Sequence, residues 1–252
     1  MNVIAPSETP TRAQNALRSH ELLATRIFIS GQLAIFVCAA GLIVPAVTPG
    51  QAVSGGLGIK LLFLIRIAAL VGLAGWMLHR RSFSWWDVGL TRPSWRRLLI
   101  AIPAGLLITM LFGILAHAIM QRAALSAPDY SMFAPIKGDL GEYLFWLLPV
   151  TLGTAAFGEE LIFRGFVADA LRRQFGGSGD FATVAALFGQ AVIFGGLHFY
   201  QGPGGMIIAG TTGLALGITW LMAGRNLWAG IIVHALLDGY AMTAFYLGHL
   251  TR

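Results

Sequence analysis

The stretch that decides the fold reads Phe157-Gly158-Glu159-Glu160-Leu161-Ile162-Phe163-Arg164-Gly165. The residues on either side of the two acids are mostly apolar. An ionisable side chain at membrane depth costs roughly 2.5–3.5 kcal/mol on insertion scales, so such groups are rare there unless they have a function. A single ion pair neutralises one of two neighbouring acids. The second carboxylate is then left for general acid–base chemistry.

The composition places this stretch in an integral membrane protein. The chain has 252 residues, of which 56% are hydrophobic and 11% are charged, whereas a soluble domain carries about 25% charged residues. Apolar runs of about 20 residues recur, which is the length that crosses the bilayer as a helix. The sequence therefore predicts an all-α, polytopic transmembrane helix bundle of about seven spans, at 27–47, 59–78, 98–120, 141–160 continuing towards 174, 181–199, 206–223 and 226–247.

Three regions follow from this pattern. We predict a polar cytoplasmic tail over residues 1–26, N-terminal transmembrane helices over 27–80 and a core bundle over 81–250. Cys38 lies in the middle of the first span and is expected to be a small core residue. The glycine-rich residues 202–205 are typical of a loop, and the Gly213–Gly217 spacing favours close helix packing.

The positive charges predict the orientation of the chain. The net charge is +6, but it is concentrated in alternate loops and does not form a nucleic-acid-binding surface. The positive-inside rule then places the N-terminus in the cytoplasm and the C-terminus outside. Eleven of the 17 Lys and Arg residues fall on the side of the membrane where the N-terminus is predicted: Arg12, Arg18, Arg26, Arg80, Arg81, Arg92, Arg96, Arg97, Arg172, Arg173 and Arg225.

Three of the later spans carry ionisable residues at helical spacing. Glu160 and Arg164 are four residues apart, in the favourable order for an ion pair, while Glu159 is turned away by about 100°. Two further pairs, also four residues apart, share a face on later spans: Phe194 with His198, and His234 with Asp238.

Each of these features has a structural interpretation when taken alone. A single intramembrane histidine is often a hydrogen-bonding packing residue, the Glu160–Arg164 pair can be a structural clamp, and Lys60 and Arg66 can snorkel or line a helix interface. Their co-occurrence favours a functional site, because four independent polar residues at this depth would be costly. A non-enzymatic transporter or immunity-type binding protein is the rival class. The chain has no internal repeat of the kind that many transporters contain.

The order Glu-Glu-x-x-x-Arg, Phe-x-x-x-His and His-x-x-x-Asp on successive helices resembles the CPBP family of intramembrane proteases. That family includes the Rce1-type CAAX prenyl endopeptidases and bacterial relatives linked to bacteriocin immunity. The segment Trp86-Asp87-Val88-Gly89-Leu90-Thr91-Arg92-Pro93 is similar to a signature of bacterial members. The resemblance spans roughly residues 85–245. It implies a multi-pass endopeptidase of a bacterial plasma membrane, acting on a membrane-associated protein or peptide that can be lipidated.

The resemblance also implies roles for the site residues. Glu159 matches the catalytic glutamate, Glu160 and Arg164 match the supporting pair, and His198 matches the histidine that helps to hold the attacking water. His234 and Asp238 match the pair at the developing oxyanion. The family often has Asn at the last position. Because an ionised Asp cannot donate a hydrogen bond to an oxyanion, the resemblance leaves the role of Asp238 open.

Two mechanisms remain open at this stage. Glu159 can act as the base for water with no cofactor required, and His234 can stabilise the oxyanion. Alternatively, Glu159, His198 and His234 can form a two-histidine, one-carboxylate zinc site with an open position for water. The His-Glu-x-x-His signature of many metalloproteases is missing from the sequence. The resemblance is to a family that is called a metalloprotease group, yet its best-understood members resemble metal-free glutamate proteases, and we therefore favour the metal-free mechanism.

Overall fold

A computed structural model describes residues 12–46, 48–177 and 179–250. These residues form a helical bundle that contains no strand. Among the described residues, seven helices are long and apolar enough to cross a membrane, so the predicted fold class and the predicted number of spans are confirmed, although the first helix ends at Ile43 rather than at residue 47. In chain order the helices are α1 (Arg12–Ile43), the short α2 (Pro49–Ser54), α3 (Leu57–His79), α4 (Trp95–Arg122), α5 (Leu140–Gln174), α6 (Asp180–Leu197), α7 (Gly202–Met222) and α8 (Leu227–Leu247).

The predicted polar tail is described only in part. Residues 1–11 of this tail lie outside the described residues, and residues 12–26 form the N-terminal half of α1.

Helix α5, which carries the two adjacent acids, is wound more widely than an α-helix in its middle. It has π-helical turns over Trp146–Glu159 and Leu161–Val167 and ordinary α-helical turns at both ends. Pro149 lies inside the wide part and has no backbone N–H to donate. Single π turns inside helices occur frequently at functional sites. This winding was not predicted, because apolar periodicity does not distinguish α from π turns over so short a stretch.

Two local predictions are wrong. Cys38 is exposed on the surface of α1 and is not a core residue, because the buried face of this helix is formed by Ile29, Phe36 and Ala40. Residues 202–205 are the first turn of α7 and do not form a loop. Proline is favoured in the first turn of a helix, where its missing N–H would have no partner, and Pro203 occupies that turn.

Small residues let α6 and α7 approach closely, as the glycine spacing predicted. A Cβ atom on Gly213 would lie 3.0 Å from the ring of Phe194, and one on Gly217 would lie 2.8 Å from the side chain of Leu187. Gln190 is fully buried between the two helices, and its side-chain amide donates to the carbonyl of Gly213 at 2.9 Å. This packing fixes the end of α6 that carries Phe194 and His198.

The loop between α3 and α4 holds the start of α8 in place. The backbone N–H of Leu227 donates to the carbonyl of Gly89 at 3.0 Å, and the Asn226 side chain donates to the carbonyl of Thr91 at 3.0 Å. Gly89 has a φ of 112°, a conformation that residues with a side chain rarely adopt. In the same loop, hydrogen bonds from Ser84 lower the pKa of Asp87. The loop thereby sets the position of the helix that carries His234.

Candidate active site

The buried centre of the site is an ion pair between Glu160 and Arg164. Both side chains are fully buried, and Nη1 of Arg164 lies 2.8 Å from Oε1 of Glu160. The other terminal nitrogen of Arg164 donates to the carbonyl of Gly213 at 2.7 Å, and the guanidinium lies over the ring of Phe194, 5.3 Å from its centroid. Arg164 therefore links α5 to both α6 and α7.

His234 joins this centre from α8. Its Nδ1 lies 3.1 Å from Oε1 of Glu160, and its Nε2 lies 3.3 Å from Oδ2 of Asp238. Because an ionised carboxylate only accepts hydrogen bonds, a ring protonated on both nitrogens can donate to both acids. Glu160 thus contacts His234 as well as Arg164, a contact that the sequence did not suggest.

A glycine makes the contact between α5 and α8 possible. A Cβ atom on Gly230 would overlap the carboxylate of Glu160. Gly230 precedes His234 by four residues and therefore lies on the same face of α8. The backbone of α8 can approach the buried acid only because this side chain is absent.

His198 directly follows α6, and one of its ring nitrogens forms a hydrogen bond with the backbone of that helix. Its Nδ1 lies 2.8 Å from the carbonyl of Phe194, and since a carbonyl only accepts, Nδ1 is the donor. In the neutral ring Nε2 then has a free lone pair. The ring of Phe194 packs 4.7 Å from His198, 6.4 Å from His234 and 4.8 Å from Phe163, centroid to centroid. Phe194 is the packing partner shared by the two histidines.

Glu159 occupies the remaining face of α5. It is half-buried, and within the described part of the chain no hydrogen bond or ion pair to its carboxylate is present. Glu159 lines a cavity of about 360 Å³ together with His198, His234 and Asp238. A second void of about 40 Å³ also borders Glu159 and His198. This is more than the roughly 10–15 Å³ that one water requires. The structure thus brings all the predicted site residues close together, and five of them, Phe194 included, line a single cavity.

Comparison with known proteins gives one match to part of the chain. Residues 141–240, or 100 of the 252 residues, match the family model described as "Type II CAAX prenyl endopeptidase Rce1-like". Over this segment the chain is similar to that family. The matched segment contains every predicted site residue from Glu159 to Asp238. Searches of curated proteins and of solved structures found no match. The family model describes membrane endopeptidases, and by this match the chain is a membrane-embedded peptide hydrolase.

Three ionisable residues that line the cavity were not predicted to belong to the site. Arg66 from α3 is buried, donates to the carbonyl of Val44 at 2.6 Å and lies over the ring of Phe63 at 3.9 Å. Tyr130 and Tyr200 line the same cavity. A charge inside an apolar span was a usable signal for Arg66. The tyrosines lie near the helix ends, where aromatic residues are common, so their positions alone gave no signal.

The possible metal ligands of the site are not arranged as the zinc alternative requires. Among the residues that the structure describes, no three His, Cys, Asp or Glu side chains form a group that could hold a metal ion. Glu159, His198 and His234 share a cavity but do not form such a group. Both ring nitrogens of His234 face carboxylates, whereas a zinc ligand needs one nitrogen directed at the metal. Zinc binding would therefore need His234 to turn away from at least one of its two acids.

Proposed function

We propose that this protein hydrolyses a peptide bond of a membrane-associated protein or peptide by means of a water activated by Glu159. The observation that carries the proposal is that the two adjacent acids have different surroundings. Glu160 is held by Arg164 and His234, whereas Glu159 faces the cavity with no ion-pair partner among the described residues. A general base needs a carboxylate that is free to take up a proton.

The cavity supplies the other groups that hydrolysis requires. The water occupies the space beside Glu159 and His198, where Nε2 of His198 accepts a hydrogen bond from it. Glu159 takes the other proton as the water oxygen attacks the carbonyl carbon. His234 keeps its Nδ1–H on Glu160 and turns its Nε2–H from Asp238 towards the oxyanion, since charge-assisted donors in a water-poor site act strongly on developing charge. Glu159 then returns the proton to the amide nitrogen as the tetrahedral intermediate collapses and the C–N bond breaks, which releases the amine and leaves a new carboxyl terminus.

The position of the cavity favours hydrolysis over proton transport. A relay across the bilayer would need ionisable groups spread along its thickness. In this structure Glu159, His198, His234 and Asp238 border one cavity, and the fully buried Glu160–Arg164 pair lies against it. This convergence supports the protease over the transporter.

The proposed function is tested by a matched pair of histidine variants. Purified protein is incubated with acylated apolar peptides, and new carboxyl termini are detected by mass spectrometry. We expect His198→Ala to lower kcat/KM by about 10²-fold or more, because the water loses a positioning partner. His117→Ala is the control, since His117 lies exposed on α4 and contacts Gln121. Equal activity of both variants would contradict the proposal.

The same cleavage experiment is repeated in the presence of metal chelators. Because both nitrogens of His234 face carboxylates, cleavage is expected to continue in the presence of EDTA or phenanthroline, and elemental analysis should find far less than one zinc per chain. Activity that disappears with chelator and returns with Zn²⁺ would replace the glutamate mechanism with a zinc mechanism. The assignment as an intramembrane endopeptidase would be unaffected.

Asp238 is expected to tolerate an amide better than an apolar side chain. Asp238→Asn should retain activity within about tenfold of wild type, because the amide oxygen still accepts from Nε2 of His234 or its N–H reaches the oxyanion. Asp238→Leu should lose about 10²-fold or more in kcat, since one ring nitrogen of His234 then faces an apolar group. Both proteins should fold, because Nδ1 keeps its contact with Glu160. Equal kcat for the two variants would show that Asp238 has no part in orienting His234.

A further inference from the structure

The two ends of the bundle differ in charge and in access to the cavity. The arginine end comprises the loop 80–94, residues 175–177 and 179, the turn 223–226, and the helix termini next to them. The cavity end comprises residues 44–46 and 48–56, the loop 123–139, the turn 198–201 and residues 248–250. Backbone hydrogen bonds join the parts of each end: Leu227 to Gly89 at the arginine end, and Asp129 to Gln201 and Gly138 to Tyr246 at the cavity end, with lengths of 3.0–3.1 Å.

The lining residues place the cavity in the half of the bundle next to the cavity end. Each of the five helices that line it contributes residues from its middle or from the half next to that end. The wall is completed by Tyr130 and Phe133 from the loop 123–139, by His198, Tyr200 and Gln201 from the turn 198–201, and by Leu250. The helix residues of the wall are Phe63, Arg66 and Ile67 of α3, Trp146 to Glu159 of α5, Phe194 of α6, Ile208 to Thr212 of α7 and His234 to Phe245 of α8.

Towards the arginine end the cavity is closed by buried side chains. Glu160, Arg164, Phe166 and Gln190 each have essentially no solvent exposure. Water and substrate therefore reach Glu159 from the cavity end, and the active site is accessible from this end of the bundle only.

The charge distribution assigns a compartment to that face. Eleven of the 17 Lys and Arg residues lie at the arginine end or on the N-terminal half of α1. The cavity end and the helix termini beside it carry Lys60, Arg122 and Lys137, which are offset by the acids Asp129, Asp139 and Glu142. Positive residues in short loops stay in the cytoplasm, so the arginine end is the cytoplasmic one.

We infer that the active site opens to the extracytoplasmic face of the membrane and that its substrates are apolar peptide segments presented from that side. This inference rests on the proposed function. The wall near the mouth is aromatic: Trp146 packs against Phe63 and Phe133 with centroids 5.4 and 5.1 Å apart, and Phe133 packs against Phe245 at 5.3 Å. Such a wall fits apolar side chains beside the scissile bond. A protein whose lipidated end remains in the cytoplasm would meet the closed arginine end.

The orientation is tested by cysteine labelling in cells. Cys38 is first replaced by Ala, and Ala134→Cys and Ser94→Cys are then introduced singly. Both positions are exposed, Ala134 at the cavity end and Ser94 at the arginine end. A membrane-impermeant maleimide should label Ala134→Cys in intact spheroplasts and Ser94→Cys only in inverted vesicles. The reverse pattern would overturn the inference.

Cleavage is then measured from each side. An acylated, internally quenched apolar peptide with a charged head is added to spheroplasts or to sealed inverted vesicles containing wild type or Glu159→Gln. Glu159-dependent cleavage is expected in spheroplasts, and in inverted vesicles only after detergent opens them. Cleavage in sealed inverted vesicles would contradict the inference and leave the proposed function intact. Failure of cleavage even in detergent would contradict the proposed function, while the labelling would still decide the orientation.

Discussion

Glu159→Gln is expected to lower kcat by about 10²–10⁴-fold, the usual contribution of a general base, while the protein inserts and folds normally. The amide has nearly the shape of the carboxylate but cannot take up the proton of the water. Because no hydrogen bond or ion pair to Glu159 is present in the described structure, its replacement removes no structural contact. The measurement is kcat on a cleaved peptide, with thermal unfolding recorded for the same preparation.

The matched control for this variant is Glu142→Gln. Glu142 pairs with Lys60 near the start of α5 and does not line the cavity. The control therefore removes one negative charge from the same helix without touching the site. If Glu159→Gln and Glu142→Gln both retained activity within about tenfold of wild type, Glu159 would not be the base.

Arg164→Ala is expected to destabilise the protein by about 3–5 kcal/mol, the usual loss when one partner of a buried ion pair is removed. The change leaves Glu160 buried without its cation and removes the hydrogen bond to the carbonyl of Gly213. The expected observation is a low yield of folded protein and a lowered melting temperature. Arg96→Ala, at an exposed position, should behave like wild type.

A double variant separates the charge effect from lost packing. Glu160→Gln combined with Arg164→Met removes both charges and fills most of the volume, and the oxygen of the new amide can still accept a hydrogen bond from Nδ1 of His234. Much of the lost stability should return, because an uncompensated buried charge costs more than the absence of the whole pair. A single Arg164→Ala variant with normal thermal stability would contradict this account of the clamp.

The parts of the fold that depend on local spacing were predictable. Seven apolar runs gave the seven spans, and two contacts between residues four apart, Glu160 with Arg164 and His234 with Asp238, are present in the structure. These features need only the length of a membrane crossing and the period of a helix. The ionisable residues of the site could be found because charge is rare in apolar spans.

The features that depend on helix crossings were not predictable from one sequence. The contact between Glu160 and His234 joins α5 to α8 and depends on the missing side chain of Gly230. The placement of Arg66 and Tyr200 beside Glu159 depends on where α3 and the α6–α7 turn pack.

The exposure of Cys38 and the choice between the two mechanisms could not be predicted from the sequence either. Cys38 was misplaced because nearly every residue in the second half of α1 is apolar, so the buried and lipid-facing sides of that helix look alike in sequence. The choice between the metal-free and zinc mechanisms stayed open because it depends on the orientation of the His234 ring. That orientation is set by two carboxylates, one of which lies on another helix.

The central claim, that Glu159 activates water for direct attack on the peptide carbonyl, is tested by single-turnover cleavage in H₂¹⁸O. Mass spectrometry of the products and of the enzyme fragment that contains Glu159 locates the label. Direct attack by water predicts one ¹⁸O in the new carboxyl terminus of the peptide and none in Glu159. Label in the Glu159 carboxylate after one turnover would show that this residue attacks the substrate as a nucleophile, and it would contradict the account.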